Sequence, residues 1–496
     1  MRFKEYDQNQ TFLLPPALEE FVPVGHLTRI IDEVVNTLDL NILYSRYSDT
    51  GCHSYHPQMM LKILFYGYAT GERSSRVLAH RMASDVAYMY LGAMQRPDFR
   101  TINRFRKDNI DLIKDFFVQI VKLCKTLGMM SIGTIAIDGT KIKANASGAH
   151  TKKKENIEQE TEAIEKEIKR ILKESEDIDD IEDREQGDES IYEIPKHLQD
   201  LEKRKEKLKR AHDLLKKNNR KDINLTDEES CTMLHRHFVP EPSYNGQIAV
   251  EAESGLIVAA DLGNNPSDYW GLTKLTEQIN ENTNETPEQI LADSGYASYE
   301  NLKYLKDKNI EGYVPDQMLQ SISKGRLKNA EFHRSKFQYD SKKDCYICPM
   351  GNKLEYRSVI RLKNVPCKMY RCFSCDQCSR KSECTRGEYR NILRNPQENM
   401  VKEMQERLSC EYGKSLYSRR KQIVESVFGD IKHNKKIREF LLRGVKKTHG
   451  EFMLICVGKN LRKITKWMKE FRQNQSYQQG SLAYGFNCDK FGWQIA

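Results

Sequence analysis

No stretch of this 496-residue chain approaches the ~20 consecutive apolar residues that a membrane-spanning helix needs. The opening residues, MRFKEYDQNQTFLLPP, carry no long apolar region behind the basic ones, so no secretory leader is visible. The expected location is therefore cytoplasmic, and nucleoid-associated if the partner is DNA. A strong overall excess of one charge is also missing, since the net charge of +9 is modest for this length. Histidine is absent from the run that holds most of the cysteines, which argues against a catalytic zinc there. What remains is a polar chain, 30% charged and 39% hydrophobic with mean hydropathy −0.71, long enough for two or three domains.

The charge that is present is concentrated. From Lys414 to Arg472 there are 17 lysines and arginines against 5 acids, so the rest of the chain is slightly acidic. Such a segment is either a polyphosphate-binding face or a solvated helix surface. Seven of the 13 cysteines fall between Cys345 and Cys384. In a cytoplasmic chain a cluster of this kind reads as a metal site before it reads as disulfides.

Residues 1–130 carry apolar residues at helical spacing, as in VGHLTRIIDEVVNTLDL and PQMMLKILFYGYAT. Short helices followed by one bearing Arg100, Arg104 and Arg106 fit a helix-turn-helix reader of DNA, and equally a bundle for dimerisation. Residues 132–146, IGTIAIDGTKIKANA, read as a hairpin turning at Asp-Gly. Residues 152–220 are a charged insertion with leucine and isoleucine rhythms on either side of an acidic stretch. They suggest an antiparallel coiled-coil hairpin, or one long charged helix with a break. Residues 244–263 are two strands around a Glu-Ser-Gly turn. EQILAD and GYVPD are short strands with a helix between them, so residues 131–330 form a mixed α/β core. Residues 331–390 are a cysteine-rich insertion, residues 391–472 return to helix and complete the core, and residues 473–496 are an irregular tail.

Phosphodiester chemistry with two divalent ions needs carboxylates brought together from separate elements. Asp138 ends TIAID, Asp293 ends QILAD and Glu425 lies within a basic helix. Lys421 and Lys432 lie within about 40° of Glu425 on that helix, a face that can hold a metal through the Glu and a phosphate through the lysines.

Four ordered blocks, AIDGTKIKANAS, YNGQIAVEAESGLIVAADL, ILADSGYASYENLKYL and YSRRKQIVESVFGDIKHN, resemble bacterial insertion-sequence transposases with a DDE triad. LPPALEEFVPVGHLTRIIDEVV, YHPQMMLKILFYGYATGERSSR and PDFRTINRFRKD resemble the N-terminal domain of the same family. The resemblance spans about residues 10–465 and implies a ribonuclease H-like catalytic core. It places Asp138, Asp293 and Glu425 as the triad, holding two Mg²⁺ ions for which Mn²⁺ can substitute. The family's tyrosine–arginine–glutamate signature falls on Tyr417, Arg420, Glu425 and Lys432, with one departure. Arg420 precedes Glu425 by five residues rather than four, and Lys421 takes the four-residue position. The implied partners are double-stranded DNA, at the element's terminal repeats and at the target, and a second copy of the chain in the paired-end complex.

In the cysteine run, Cys345-x2-Cys348 and Cys375-x2-Cys378 have the spacing of a tetrahedral zinc ribbon. The resemblance implies a different subset for a structural Zn²⁺: Cys348, Cys375, Cys378 and Cys384. Two rival functions use the same residues: a host nuclease on the same fold, and a transposase-derived DNA-binding protein without chemistry.

Overall fold

The computed structural model describes residues 17–48, 53–185, 196–235, 239–316, 330–362, 365–394 and 398–478. Seven helices come first: α1 (Leu27–Thr37), α2 (Asn41–Tyr44), α3 (Pro57–Thr70), α4 (Ser75–Ser84), α5 (Val86–Leu91), α6 (Phe99–Asp108) and α7 (Ile113–Thr126). Their ends follow local chemistry. Pro57 opens α3, where a missing N–H costs nothing, and Gly71 closes it at φ +94°. Asp85 and Asp98 cap α5 and α6 through backbone N–H groups two or three residues on.

The central sheet begins with β1 (Thr134–Lys143). Asp138-Gly139 was expected to turn a hairpin, but it lies inside this single ten-residue strand. Gly139 pairs with Gln247 and Thr140 with Gly246, so the ladder runs straight through. The remaining strands of the region are β2 (Thr151–Lys153), β3 (Asp222–Asn224), β4 (Cys231–Leu234), β5 (Pro240–Glu251), β6 (Ile257–Gly263), β7 (Gln289–Leu291) and β8 (Glu311–Tyr313). β1 pairs antiparallel with β5 and parallel with β7, and β8 pairs parallel with β7. β4 and β6 both pair with β5.

Helices α10 (Gly271–Thr283) and α11 (Tyr299–Asp307) follow β6 and β7. Both pack on one face of the sheet, through Leu272, Leu275 and Leu302 against Ile135, Ile137 and Ile290. The other face carries Ala136, Ile248 and Val250 and meets the C-terminal helices.

Between β2 and β3 stand α8 (Lys154–Glu185) and α9 (Lys196–Lys217). Glu158–His212 and Glu165–Lys205 pair in opposing chain directions, so the helices run antiparallel, and Glu160–Arg204 also links them. Ile157, Ile164, Leu208 and Leu215 form their seam. α8 runs on to Glu185, through most of the acidic stretch; residues 186–195 lie outside the described residues. β2 pairs with β3, Lys153 opposite Asp222, so the ends of the hairpin are laced together.

The cysteine-rich segment is a five-stranded antiparallel meander: β9 (Gln338–Asp340), β10 (Cys345–Ile347), β11 (Lys353–Leu362), β12 (Val365–Cys372) and β13 (Arg390–Arg394). A one-turn helix, α12 (Lys381–Cys384), precedes β13. Then come α13 (Glu398–Ser409), α14 (Glu411–Gly429), a π-turn over Asp430–Asn434, and α15 (Val445–Gln478). α15 extends six residues into the tail expected to be irregular; residues 479–496 lie outside the described residues.

α15 is the central pillar of the fold. Phe452, Met453, Leu454, Ile455, Val457 and Leu461 are all at most 1% exposed. They join α1, α3 and α7 on one side to the sheet on the other, so helices and sheet share one continuous core. Much of the basic segment 414–472 is therefore interior. Lys435 and Lys459 are buried around Asp430, with Lys459 Nζ 3.0 Å from its carboxylate. Among the described residues, no helix is long and apolar enough to cross a membrane.

Candidate active site and cysteine cluster

β1 and β7 are parallel neighbours with Ala136 opposite Leu291. Asp138 and Asp293 each stand two residues beyond that pair, at the same level and the same end of the sheet. Asp138 accepts a hydrogen bond from Gly139 N–H at 2.9 Å. Asp293 caps the turn after β7, accepting from Gly295 N–H at 2.7 Å. The Asp138 carboxyl is pushed up to about 6, chiefly by burial; Arg420 opposes this and Asp293 adds to it.

α14 crosses beside β1 and brings Arg420 to the carboxylates, its Nη1 3.5 Å from Asp138 Oδ2. The Arg420 guanidinium also lies over Tyr417, 5.8 Å from the ring centroid. Ile423, Val424 and Val427 turn the same helix into the core. That rotation points Glu425 to solvent, where its side chain is 48% exposed and Lys421 Nζ lies 3.9 Å away. Of the three expected acids the fold thus brings two together, and places Arg420 rather than Glu425 against them. Lys432 donates to Lys141 O at 2.8 Å, from the π-turn to the far half of β1. Lys436, Arg438, Arg443, Lys446 and Lys447 are exposed along the connection from that turn into α15.

Of the N-terminal arginines, Arg104 is exposed. Arg106, expected at a DNA surface, is instead 5% exposed. Its guanidinium donates to Arg73 O at 2.8 Å and Asn103 Oδ1 at 2.9 Å, tying α6 to the turn after α3. The helical face that reads as basic in the sequence has one of its charges turned inward.

In the meander, Cys348, Cys372, Cys375, Cys378 and Cys384 line one cavity of about 20 Å³. Cys345, in β10, is also buried but does not line it. Backbone N–H groups of Asn352 and Arg390 reach the sulfurs of Cys348 and Cys375 at 3.2 and 3.4 Å. N–H groups aimed at sulfur suit thiolates that hold a metal. Burial pushes the Cys372 thiol up to about 12, and the Cys384 thiol also upward. Among the described residues, no three His, Cys, Asp or Glu side chains already stand in metal-holding geometry, at either site.

Two family models match the chain. Residues 347–465 match the Transposase DDE domain, and residues 16–108 match the Transposase domain (DUF772). Both matched segments are transposase domains, which supports an insertion-sequence DDE transposase. No curated protein matches it significantly. The DDE match includes Glu425 and most of the cysteine cluster, while Asp138 and Asp293 of the transposase fall between the two matched segments.

Sequence reading of the transposase missed a further acid. Asp268, in the loop before α10, receives Asn245 Nδ2 at 2.6 Å and Gln247 Nε2 at 2.9 Å on its Oδ1. Burial raises its pKa, as does Asp293 beside it. Tyr296 was missed too. It is fully buried, its hydroxyl has no hydrogen-bond partner, and it faces Asp268, Asp138 and Asp293. A signal for Asp268 was present in Asn245-x-Gln247, two amides on one face of β5, but alternation alone does not say what they bind.

Proposed function

We propose that this transposase cuts the phosphodiester backbone at the ends of its element and joins the freed 3′-hydroxyl to target DNA. One observation carries the reading: Asp138 and Asp293 lie level on adjacent parallel strands, buried enough to push the Asp138 carboxyl upward. The strand order supports a ribonuclease H-like core, with β6, β5 and β1 antiparallel and β7 and β8 parallel to β1. The donor set fits hard divalent cations, because carboxylates are crowded there with too little positive charge to balance them. Asp138 and Asp293 would hold Mg²⁺ or Mn²⁺; Glu425 is the third ligand by the sequence signature. Two such ions supply a polarised nucleophile and a stabilised leaving oxygen.

The chain's own groups do the rest. The turn after β7 fixes Asp293 through Gly295 N–H. Arg420 holds Asp138 in place and offers a guanidinium to a phosphate once a cation replaces it. Lys421, Lys432 and the exposed run from Lys436 to Lys447 form the backbone-binding side, with Tyr417 beside Arg420. Arg104 extends this toward the N-terminal helices. Cys348, Cys375, Cys378 and Cys384 would hold a structural Zn²⁺, with Cys372 adjacent. The active form is a dimer on paired DNA ends.

A second reading has its own support. The exposure of Glu425 and the pairing of Arg420 with Asp138 favour a transposase-derived DNA-binding protein without chemistry. A Mg²⁺-dependent cleavage and strand-transfer assay on the element's own ends separates the two. Asp138→Asn, Asp293→Asn and Glu425→Gln should each abolish cleavage and keep DNA binding. Wild-type protein that binds the ends but never cuts them supports the second reading. Near-normal cutting by one variant removes that residue from the triad.

A further inference from the structure

The Asp268 carboxylate is held from one side only. Its Oδ1 takes both amides, Asn245 at 2.6 Å and Gln247 at 2.9 Å. Those residues alternate on β5, the strand paired with β1, so the sheet fixes where Asp268 points. Among the described residues no hydrogen bond reaches its Oδ2.

One glycine makes room for it, and a second marks how near it lies to Asp293. A Cβ on Gly139, the residue after Asp138, would lie 2.7 Å from Asp268 Oδ1. A Cβ on Gly295, two residues after Asp293, would lie 3.6 Å from Asp268 Oδ2 and 2.9 Å from Asp293 Oδ1. The last two oxygens are therefore at most 6.5 Å apart, the sum of those distances. The missing side chain of the residue after Asp138 leaves space for this third carboxylate, and the missing side chain of Gly295 leaves space for Asp293 beside it.

Beside the carboxylates, the fully buried Tyr296 hydroxyl has no hydrogen-bond partner and lies near enough for all three charges to act on it. The buried Asn245 Oδ1 and Gln247 Oε1 beside them are also unpartnered. A buried polar atom without a partner is costly, so several together mark a place where something polar is missing. Arg420, with Lys141 further off, supplies the positive charge that these acids face.

We propose that Asp268 is a further metal-ligating carboxylate of this centre, offering its free Oδ2 beside Asp138 and Asp293. The inference rests on the reading that those two hold divalent cations. In the protein as described, Asp268 rather than Glu425 is the third acid at the sheet, so a first ion can be bound before α14 changes its contacts. Glu425 is then the ligand that joins later.

Mn²⁺ binding by calorimetry tests this with no DNA and no turnover, using the full chain. Asp268→Asn should bind Mn²⁺ at least about tenfold more weakly than wild type. Asn245→Ala keeps the carboxylate but frees its anchor, and should weaken binding less. Fe²⁺ with peroxide should cut the wild-type backbone near residues 138, 268 and 293, and the cut near 268 should fade in Asp268→Asn. Melting of each variant in chelator checks that it folds; if Asp268→Asn does not, Asn245→Ala decides. Asp138→Asn serves as the reference. If it loses Mn²⁺ while Asp268→Asn and Asn245→Ala bind as wild type does, Asp268 is only a loop anchor and the proposal falls. If Asp138→Asn and Asp293→Asn also bind normally, the underlying reading falls with it.

Discussion

Asp138→Asn should make the metal-free protein more stable at neutral pH, although it removes a residue proposed as essential. The Asp138 carboxyl is pushed up to about 6 in the folded chain. An unfolded Asp titrates near ~3.9. Between those values the folded state binds more protons than the unfolded one. Stability therefore falls as pH rises from about 4 to about 6, and the penalty is fully present above that window. A shift of about two units corresponds to about 3 kcal/mol. The side chain keeps 21% exposure, so solvent screening should bring the net gain nearer 1–2 kcal/mol, roughly; the attraction of Arg420 is already contained in the shift. In chelator at pH 8 that is a rise in melting temperature of roughly 1–2 °C for a chain of this size; at pH 4 the difference should vanish. Mg²⁺ should reverse the ranking. At about 100-fold excess over its dissociation constant it adds about 2.7 kcal/mol to the wild type, and it should add little to the variant. A variant less stable than wild type in chelator at pH 8, or one that Mg²⁺ stabilises equally, would refute the reasoning.

Three further outcomes are expected. Elemental analysis should find about one Zn per chain; Cys348→Ser and Cys378→Ser should lose it and lower the melting temperature, while Cys345→Ser, outside the cavity, should keep it. Metal-free protein with an unchanged melt would sink the zinc site. Replacing residues 155–217 with a short Gly/Ser linker should leave folding and metal-dependent nicking measurable, because β2 and β3 already hold the two ends side by side; a folded variant with no nicking would place the insertion in the active site. Arg106→Ala should destabilise the protein by about 2–3 kcal/mol, because Asn103, Ser75 and the Arg73 carbonyl lose a buried charged donor. Weakened DNA binding at unchanged stability would return Arg106 to the surface.

The parts of this fold legible in the sequence were those set by local period. The strands around Glu253-Ser254-Gly255, the helix after Asp293 and the coiled-coil rhythm all appear where alternation or heptad spacing put them. Asp138-Gly139 misled because a glycine in a strand and a glycine in a turn look alike in one dimension. What separates them is the carboxylate of Asp268, 130 residues away, pressing on the position of the missing side chain. Counts of basic residues overstate the outward charge for a related reason. Charge is counted along the chain, whereas Lys435, Lys459 and Arg106 point inward to partners that only the tertiary fold supplies. The two aspartates were singled out by the family resemblance, and the strand read as ending at Asp138 runs on to Lys143. Glu425 was found by its helix signature, which carries no information about which way that helix is rotated.

The placement of α15 sets an order in time. Its apolar residues fill the gap between α3 and the sheet. Yet 374 residues separate the end of α3 at Thr70 from the start of α15 at Val445. At ~5–20 residues per second, a ribosome needs roughly 20–75 s to cover that interval. Throughout it, Ile63, Leu64 and Tyr68 belong to a nascent chain with no pillar to close on, and the sheet waits with one face open. Closing the core is then a long-range docking event that has to wait for α15. A chain broken off before α15 would keep both aspartates and the strands that pair them, with one face of the sheet left uncovered.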